Sequence, residues 1–222
     1  MKLIVFDIDG TLVDSQNIIV EAQRRAFAQL GLEPPDRQKA LSIVGLSLRE
    51  AFDELTDGKG PSDELTQAYK DAWTQLRSEQ GEVYPLYPGV QDFLRECAQR
   101  ENCVLGVATG KSRAGIDRLF DRHGWHDLFV TVQTADDAPS KPAPDMFHRA
   151  LGETGVGPRD ACMVGDTSFD MIMAHRAGAH CIGVGWGYHR HDRLLKAGAA
   201  TIVQDFPALR EALDEFMQCA TT

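Results

Sequence analysis

The sequence lacks the features of several large classes of protein. Its 222 residues contain no apolar run long enough for a membrane span and no lysine-rich or arginine-rich block of the kind that binds nucleic acid. The formal net charge is −10, from 23 basic and 33 acidic side chains, so an anionic substrate must be attracted by local cations. We therefore expect neither a membrane nor a nucleic acid as partner.

Cysteine is scarce and shows no pairing pattern. The five cysteines are widely spaced and form no Cys-x-x-Cys motif, which argues against a disulfide framework and a zinc knuckle. The first residues lack the long apolar segment and the small-residue cleavage site of a secretory signal. We expect a cytoplasmic protein whose cysteines are mostly small buried apolar residues.

The seven histidines include two close pairs, His123 with His126 and His189 with His191. Neither pair has enough cysteine or acidic neighbours for a transition-metal site. We expect these histidines at the surface or in loops.

Short apolar runs alternate with helical segments along most of the chain. Runs typical of buried strands occupy residues 3–6, 104–108, 129–132, 161–164, 180–184 and, more weakly, 200–203. Helical patterns follow at 112–122, 144–153, 169–177 and 207–217. This alternation predicts the α/β class, with a Rossmann-like parallel sheet that is covered by helices on both faces.

A long segment without strand-like runs follows the first predicted strand. Its helical patterns occupy residues 17–30, 36–43, 48–55 and 63–79. We expect residues 1–14 and 88–222 to form the α/β core and residues 15–87 to form an inserted cap of four helices. Because ligands of open parallel sheets bind beyond the carboxyl ends of the strands, such a cap would overhang the site and close on a substrate.

The first predicted strand runs directly into the motif Asp7-Ile8-Asp9-Gly10-Thr11. Residues two apart in extended backbone point to the same face, so Asp7 and Asp9 would repel each other unless a cation or a shared proton intervenes. Mg²⁺ typically takes one or two carboxylates together with water and phosphate oxygens, which makes this strand end a candidate site for phosphate chemistry. The alternative is a solvated turn, since Asp and Gly often follow apolar runs.

A second cluster, Thr109-Gly110-Lys111-Ser112, follows the second predicted strand and opens a helix. The Thr109 hydroxyl and the adjacent backbone N–H groups could bind an anion there. Residues 106–112 also resemble a P-loop, but they have three residues between the glycines where that motif needs four. A nucleotide-binding P-loop is therefore disfavoured.

Two further clusters follow later strands. Lys141 is flanked by Pro142 and Pro144, and its ammonium group could neutralise a phosphoryl group and a nearby carboxylate; a solvated loop lysine is the alternative. Asp166 and Asp170 lie four residues apart at a strand-to-helix junction. Helix capping by an acidic or hydroxyl side chain is the alternative explanation for these two.

Together the four clusters resemble the motifs of the haloacid dehalogenase superfamily, which occur here in order around Asp7, Thr109, Lys141 and Asp166. The resemblance covers essentially the whole chain, including a helical cap after the first motif, and is closest to the phosphoglycolate phosphatase-like branch. It implies a Mg²⁺-dependent phosphatase that hydrolyses a small phosphomonoester through an aspartyl-phosphate. A sugar phosphomutase similar to β-phosphoglucomutase, or a pyrophosphatase, is the alternative on the same scaffold. A dehalogenase is disfavoured because those enzymes lack a second acidic residue at the position of Asp9.

The resemblance also implies roles for individual residues. Asp7 would be the nucleophile, and Asp9 would serve as general acid and then general base. The metal would be held by the side chains of Asp7 and Asp166, by the backbone carbonyl of Asp9 and by Asp170 as a near ligand, acting through water or by orienting Lys141. The residues that would contact the phosphoryl group are Gly10, Thr11, Thr109, Gly110 and Lys141.

Specificity would lie in the cap. Gly45-Leu46-Ser47-Leu48-Arg49 resembles the cap segment that faces the active site in this branch, which makes Arg49 the candidate ligand of a substrate carboxylate or second phosphate. An ordinary exposed helix arginine is the alternative. The implied partner is a small phosphorylated metabolite, and the implied assembly is a monomer or a homodimer.

Overall fold

The computed structural model describes residues 1–81 and 85–218, so Cys219 and residues 82–84 of the expected cap lie outside the described residues. The core contains six strands: β1 Lys2–Phe6, β2 Cys103–Ala108, β3 Phe129–Gln133, β4 Ala161–Gly165, β5 His180–Val184 and β6 Thr201–Val203. The core helices are α5 Val90–Ala98, α6 Arg113–His123, α7 Asp145–Thr154, α8 Ser168–Arg176, α9 His191–Lys196 and α10 Phe206–Gln218.

The strands form one parallel sheet in the order β3-β2-β1-β4-β5-β6. This confirms the predicted α/β class. Strand β1 is central and pairs with β2 on one side and with β4 on the other. The loops that follow these three neighbouring strands therefore meet at one edge of the sheet, as in other open parallel sheets.

Both faces of the sheet are buried, which explains the continuous apolar run of β1. Ile4 and Phe6 pack in a cluster with side chains of α5, α6 and α10, whereas Leu3 and Val5 pack in a second cluster with α7 and α8. Alternate residues of a strand point to opposite faces, so a strand covered on both sides needs apolar residues throughout.

Helix α5 was not anticipated from the sequence, although its pattern was present. Its buried residues Val90, Phe93, Leu94 and Cys97 have the i, i+3, i+4, i+7 spacing of an amphipathic helix. The helix begins after Gly89, which adopts a φ of 93° that disfavours other residues. The helix is short and lies beside the predicted cap boundary, and the sequence analysis therefore assigned no helix there.

In the described part of the chain, four helices lie between β1 and α5: α1 Gln16–Gln29, α2 Arg37–Leu41, α3 Leu48–Leu55 and α4 Ser62–Gln80. They enclose a hydrophobic cluster of their own, in which the rings of Phe27, Phe52, Tyr69 and Trp73 follow one another at centroid distances of 6.1, 5.8 and 5.7 Å. A separate core supports the proposal that residues 15–87 act as an inserted cap. Among the described residues, no helix combines the length and the apolar character needed to cross a bilayer.

Candidate active site

The candidate site lies where β1, β2 and β4 end side by side. Asp7 directly follows β1, and its backbone N–H still donates to Val164 O of β4 at 3.0 Å. Thr109 follows β2 and Asp166 follows β4. Because the strands are parallel neighbours, side chains separated by more than a hundred residues in sequence share one sheet edge.

Three buried aspartates form a compact cluster at this edge. Asp7, Asp166 and Asp170 each contribute one carboxylate oxygen, and these oxygens all lie within 4.8 Å of one another. The exposure of the three residues is 1%, 0% and 0%. Lys141 lies beside the cluster, with its Nζ 3.0 Å from Asp7 Oδ1 and 2.6 Å from Asp170 Oδ1. One buried ammonium group leaves three carboxylates undercompensated.

The cluster fits a hard divalent cation. Asp7 Oδ2 is buried and has no hydrogen-bond partner in the described part of the chain. Buried oxygens without a partner are rare unless a ligand or an ion binds them. The three candidate ligand atoms are all carboxylate oxygens, the ligand type that Mg²⁺ prefers. Asp7, Asp166 and Asp170 could therefore hold this cation.

Burial controls the protonation of the cluster. Removal from water raises the pKa of Asp7 to about 7, with Lys141 opposing the shift and Asp170 adding to it. Burial likewise raises the pKa of Asp166 well above its ordinary value. For Lys141, burial alone would lower the pKa, but the Asp170 and Asp7 carboxylates reverse the shift and raise it. A cation is thus needed to keep both carboxylates fully ionised at neutral pH.

Asp170 combines a structural contact with the contact to Lys141. Thr167 is the N-cap of α8 and accepts from the Asp170 N–H, while Asp170 Oδ2 accepts from the Thr167 N–H at 3.0 Å. This reciprocal pair is a capping box. The other oxygen, Asp170 Oδ1, accepts from Lys141. Helix capping, which was the alternative explanation for this motif, is therefore present alongside the charged cluster.

Asp166 is enclosed tightly by backbone. Its Oδ2 accepts from the Tyr188 N–H at 2.9 Å, and its Oδ1 accepts from the Thr11 hydroxyl at 3.0 Å. A Cβ atom added to Gly10 or Gly187 would lie 2.2 or 2.1 Å from Asp166 side-chain atoms. Glycine at these two positions lets the backbone approach the carboxylate closely.

The polar groups of Thr11 and Gly10 contact protein atoms in the structure, and their phosphate contacts stay predictions. The Thr11 hydroxyl donates to Asp166, and its backbone N–H donates to Ile8 O at 3.2 Å. The Gly10 N–H is also engaged, with Val13 O at 2.9 Å. Thr109 and Gly110, by contrast, line an open cavity beside Asp7, where they can meet a substrate.

The Asp9 carboxylate lies outside the cluster of three. It accepts from Lys111 Nζ at 2.7 and 2.8 Å and from the Ser15 hydroxyl at 2.5 Å. Strand β1 ends at Phe6, before Asp7 and Asp9, and each of these carboxylates has its own lysine. Sequence reasoning assigned roles to neither Lys111 nor Ser15. The available signal was that Lys111 belongs to the cluster after the second strand that resembles a P-loop.

A cavity of about 550 Å³ separates the core loops from the cap helices. Its core side includes Asp7, Asp9, Thr109, Gly110 and Lys111, and its cap side includes Arg49, Phe52, Tyr69, Lys70 and Trp73. This volume lies within the usual range for small-molecule sites. The Arg49 side chain is 65% exposed and its guanidinium lies 3.6 Å from Asp63, a distance and exposure typical of a weak ion pair.

One cap segment, residues 42–47, docks onto three core loops. The Ser47 N–H donates to Ser140 Oγ at 2.8 Å, next to Lys141. A Cβ atom added to Gly110 would lie 2.5 Å from Leu46 O. His189 lies in a loop, as expected, but it is only 5% exposed. Its ring joins Ser42 O of this segment to the core.

Comparison with known proteins places this geometry in context. The sequence model of the family described as haloacid dehalogenase-like hydrolase matches residues 4–184. A probable phosphatase named IndB, from Dickeya dadantii, is 34% identical over 207 residues, which cover 92% of this chain and 90% of that protein. A phosphoglycolate phosphatase of Pseudomonas putida is 28% identical over 209 residues, covering 92% of this chain and 76% of its own length.

The fold also matches a solved structure along almost its full length. The crystal structure of a hydrolase from Pseudomonas syringae superposes with a TM-score of 0.83 at 24% sequence identity and covers 97% of this chain and 99% of that one. At this identity the likeness concerns the fold.

Proposed function

We propose, from the premise that this chain belongs to the haloacid dehalogenase-like hydrolase family, that it is a Mg²⁺-dependent phosphatase that hydrolyses a small phosphomonoester through an aspartyl-phosphate. The observation that carries the proposal is the convergence of Asp7, Asp166, Asp170 and Lys141 in one buried cluster beneath a cavity. The phosphatase names of the similar proteins support the same reaction class.

In the first step, an oxygen of the Asp7 carboxylate attacks phosphorus. The bond between phosphorus and the ester oxygen breaks, and that oxygen takes a proton from the Asp9 carboxyl group to leave as an alcohol. Asp7 and Asp9 both line the cavity, so a substrate there can meet the nucleophile and the acid together. The product of this step is an aspartyl-phosphate on Asp7.

In the second step, water attacks phosphorus of the aspartyl-phosphate. Asp9, now ionised, takes a proton from that water, and the bond between phosphorus and the Asp7 oxygen breaks. Inorganic phosphate leaves, and both aspartates return to their starting states. A single side chain thus serves as acid and base in turn.

Lys141 and the metal share the task of balancing charge. The Lys141 ammonium group, held by Asp7 and Asp170, would bind a phosphoryl oxygen together with Thr109 and the Gly110 N–H. When bound by Asp7, Asp166, Asp170 and the Asp9 carbonyl, Mg²⁺ would offset negative charge at the phosphoryl group and keep Asp7 ionised.

The cap would select the substrate. The phosphoglycolate phosphatase names among the similar proteins support a small, acidic phosphomonoester, and Arg49 is the proposed ligand of its carboxylate or second phosphate. A cytoplasmic location and a monomeric or homodimeric state stay predictions.

A phosphate-release screen tests this function. Phosphoglycolate, sugar phosphates, nucleotides and pyrophosphate would be ranked by kcat/KM, each with Mg²⁺ and with EDTA. We expect Mg²⁺-dependent release of phosphate, fastest from a small phosphomonoester. Isomerisation of glucose 1-phosphate with a bisphosphate primer, measured alongside, would instead indicate a phosphomutase. A folded protein that is inactive on the whole panel with Mg²⁺ would contradict the proposal.

A further inference from the structure

The carboxylate of Asp9 is held by side chains that the two chemical steps do not otherwise use. Lys111 donates to both of its oxygens, and Ser15 donates to Oδ1. The Tyr188 hydroxyl lies 3.2 Å from Ser15 Oγ. Since the single hydroxyl proton of Ser15 is given to Asp9, Tyr188 must be the donor to Ser15. The bonds therefore run in one direction, from Tyr188 through Ser15 to Asp9.

Ser15 does not make the hydrogen bond that a serine at its position usually makes. It is the N-cap residue of α1, where a serine hydroxyl ordinarily accepts from a backbone N–H two or three residues later. Here the hydroxyl makes no such bond and donates to Asp9 instead, in a residue that is 1% exposed. Helix capping therefore does not account for the placement of Ser15.

Lys111 is restrained on two sides. Its Nζ binds Asp9 and also lies 5.3 Å from the ring centroid of Trp73 on α4. The Lys111 and Asp9 side chains are only 11% and 12% exposed. An ion pair that is largely shielded from water and packed against an aromatic ring holds its geometry better than an exposed pair does.

We propose that Lys111 and Ser15 are positioning residues for the proton transfers of Asp9, with Tyr188 supporting Ser15. The inference rests on the proposed role of Asp9. Both contacts hold the Asp9 carboxylate at the cavity wall, apart from the buried cluster of Asp7, Asp166 and Asp170. Under the proposed mechanism, this is the carboxylate that the leaving group of a substrate in the cavity would meet.

The consequence depends on the leaving group. When the phosphorus–oxygen bond breaks, the electron pair stays on the ester oxygen, and an alkoxide needs the Asp9 proton to leave readily. A p-nitrophenolate is stable without that proton. A displaced Asp9 should therefore slow the cleavage of an alkyl phosphate much more than that of p-nitrophenyl phosphate.

The test compares kcat/KM on these two substrates, since this ratio covers the steps up to leaving-group departure and excludes the later attack by water. The alkyl phosphate is the best one from the phosphate-release screen. Lys111→Met and Ser15→Ala should each lower kcat/KM by about 10²-fold on the alkyl phosphate and by less than about 10-fold on p-nitrophenyl phosphate. Lys111→Arg keeps a cationic donor and should restore most of the activity on the alkyl phosphate.

Lys70→Met is the matched control. Lys70 lines the same cavity, but it is not one of the side chains that hold Asp9 in the described part of the chain. Its loss should affect both substrates alike. Tyr188→Phe removes a single hydroxyl group and should produce a smaller loss of kcat/KM, again larger on the alkyl phosphate than on p-nitrophenyl phosphate. This variant keeps the proposal testable if Lys111→Met folds poorly.

Asp9→Asn separates failure of this inference from failure of the proposed function. An equal loss on both substrates in Asp9→Asn would remove the acid role of Asp9 and, with it, that part of the function. A selective loss in Asp9→Asn together with equal losses in Lys111→Met and Ser15→Ala would overturn the positioning role alone.

Discussion

The carboxylate cluster of the core and the cap side of the cavity face each other, but they differ in burial and in how closely their charged groups pair. Asp7, Asp166, Asp170 and Lys141 are at most 1% exposed, and Lys141 binds Asp7 and Asp170 directly. Arg49 on the cap side of the cavity is 65% exposed and pairs with Asp63 at 3.6 Å. Charges interact strongly when buried and weakly in water. We therefore expect substitutions in the core cluster to have larger effects than substitutions on the cap side of the cavity.

The largest test of this contrast is Asp7→Asn. Turnover should fall at least about 10⁴-fold on every substrate, since the nucleophile is lost. The melting temperature in EDTA should not fall, because burial raises the pKa of Asp7 to about 7 and so opposes its ionised form. Phosphate release and thermal melts followed by circular dichroism measure the two effects.

Asp57→Asn is the control for that change. Asp57 is exposed in a cap turn with a φ of 53°, a conformation that asparagine tolerates. It should leave turnover and melting unchanged. Turnover by Asp7→Asn at the parental rate would refute the nucleophile assignment.

Removal of the metal should change how the stability of the folded protein depends on pH, because the same cluster contains the raised Asp7 pKa. The pKa of Asp7 is raised from 3.8 to about 7, so without metal its contribution to stability is present at acidic pH and is lost as the pH rises through 7. Mg²⁺ at a hundredfold excess over its Kd should add about 2.7 kcal/mol. Because binding requires ionised carboxylates, the Mg²⁺-induced rise in melting temperature should be larger at pH 8 than at pH 6.

Asp166→Asn should abolish most of that rise, since it removes one proposed ligand. The same Mg²⁺-induced rise at both pH values, or a full rise in Asp166→Asn, would place the ion elsewhere.

His189 links the cap segment, residues 42–47, to the core, and the pH dependence of stability tests this contact. Its Nδ1 accepts from the Ser168 N–H at 2.9 Å, so its proton must lie on Nε2, which then donates to Ser42 O of the cap segment. Burial, with a contribution from Arg193, lowers the pKa of His189 from 6.5 to about 4. The unfolded chain therefore binds the proton first, and stability is lost as the pH falls from about 6.5 towards 4.

Urea unfolding at pH 6.5 and pH 4.5 measures this loss. The parent should lose about 2 kcal/mol more stability over this interval than His189→Gln, which carries no titrating ring at this position. Parallel pH dependence in the two proteins would show that His189 does not couple the cap segment to protonation.

The smallest expected effect belongs to Arg49→Ala. We expect a loss of kcat/KM of up to about 10-fold on phosphoglycolate and almost none on a phosphoester with a neutral leaving group, because an exposed guanidinium contributes modestly to binding. Arg24→Ala removes a comparably exposed arginine of α1, one that pairs with Glu21, and should change neither substrate. An equal loss on both esters in Arg49→Ala would remove its role in specificity.

The core cluster was accessible from the sequence because Asp7 and Asp166 directly follow recognisable strands and the other two residues belong to recognisable motifs. Apolar runs that lead into Asp7, Thr109 and Asp166 predict strands of a parallel sheet, and Lys141 completed a motif order that resembles one superfamily. The surroundings of Asp9 were not accessible in this way. Ser15 has the signature of an ordinary helix cap, and Lys111 could be noticed only as part of a failed P-loop.

Thr11 shows a second kind of limit. Its place in the first motif predicts a phosphate contact, which stays a prediction, whereas the donation of its hydroxyl to Asp166 was not predicted. Residue type and position in a motif indicate which bonds are available. The choice among them depends on which buried acceptor lies within reach.

The sequence by itself determined the α/β class, the helical segment between the first two strands, and the order of the acidic and basic motifs, because periodicity and strand-end chemistry are local properties of the chain. Only the tertiary structure decided which carboxylate meets which lysine. Lys141 joins Asp7 and Asp170, whereas Lys111 joins Asp9. These pairings span up to 134 residues of sequence, from Asp7 to Lys141, and they follow from strand order and from the docking of the cap, which no local pattern encodes.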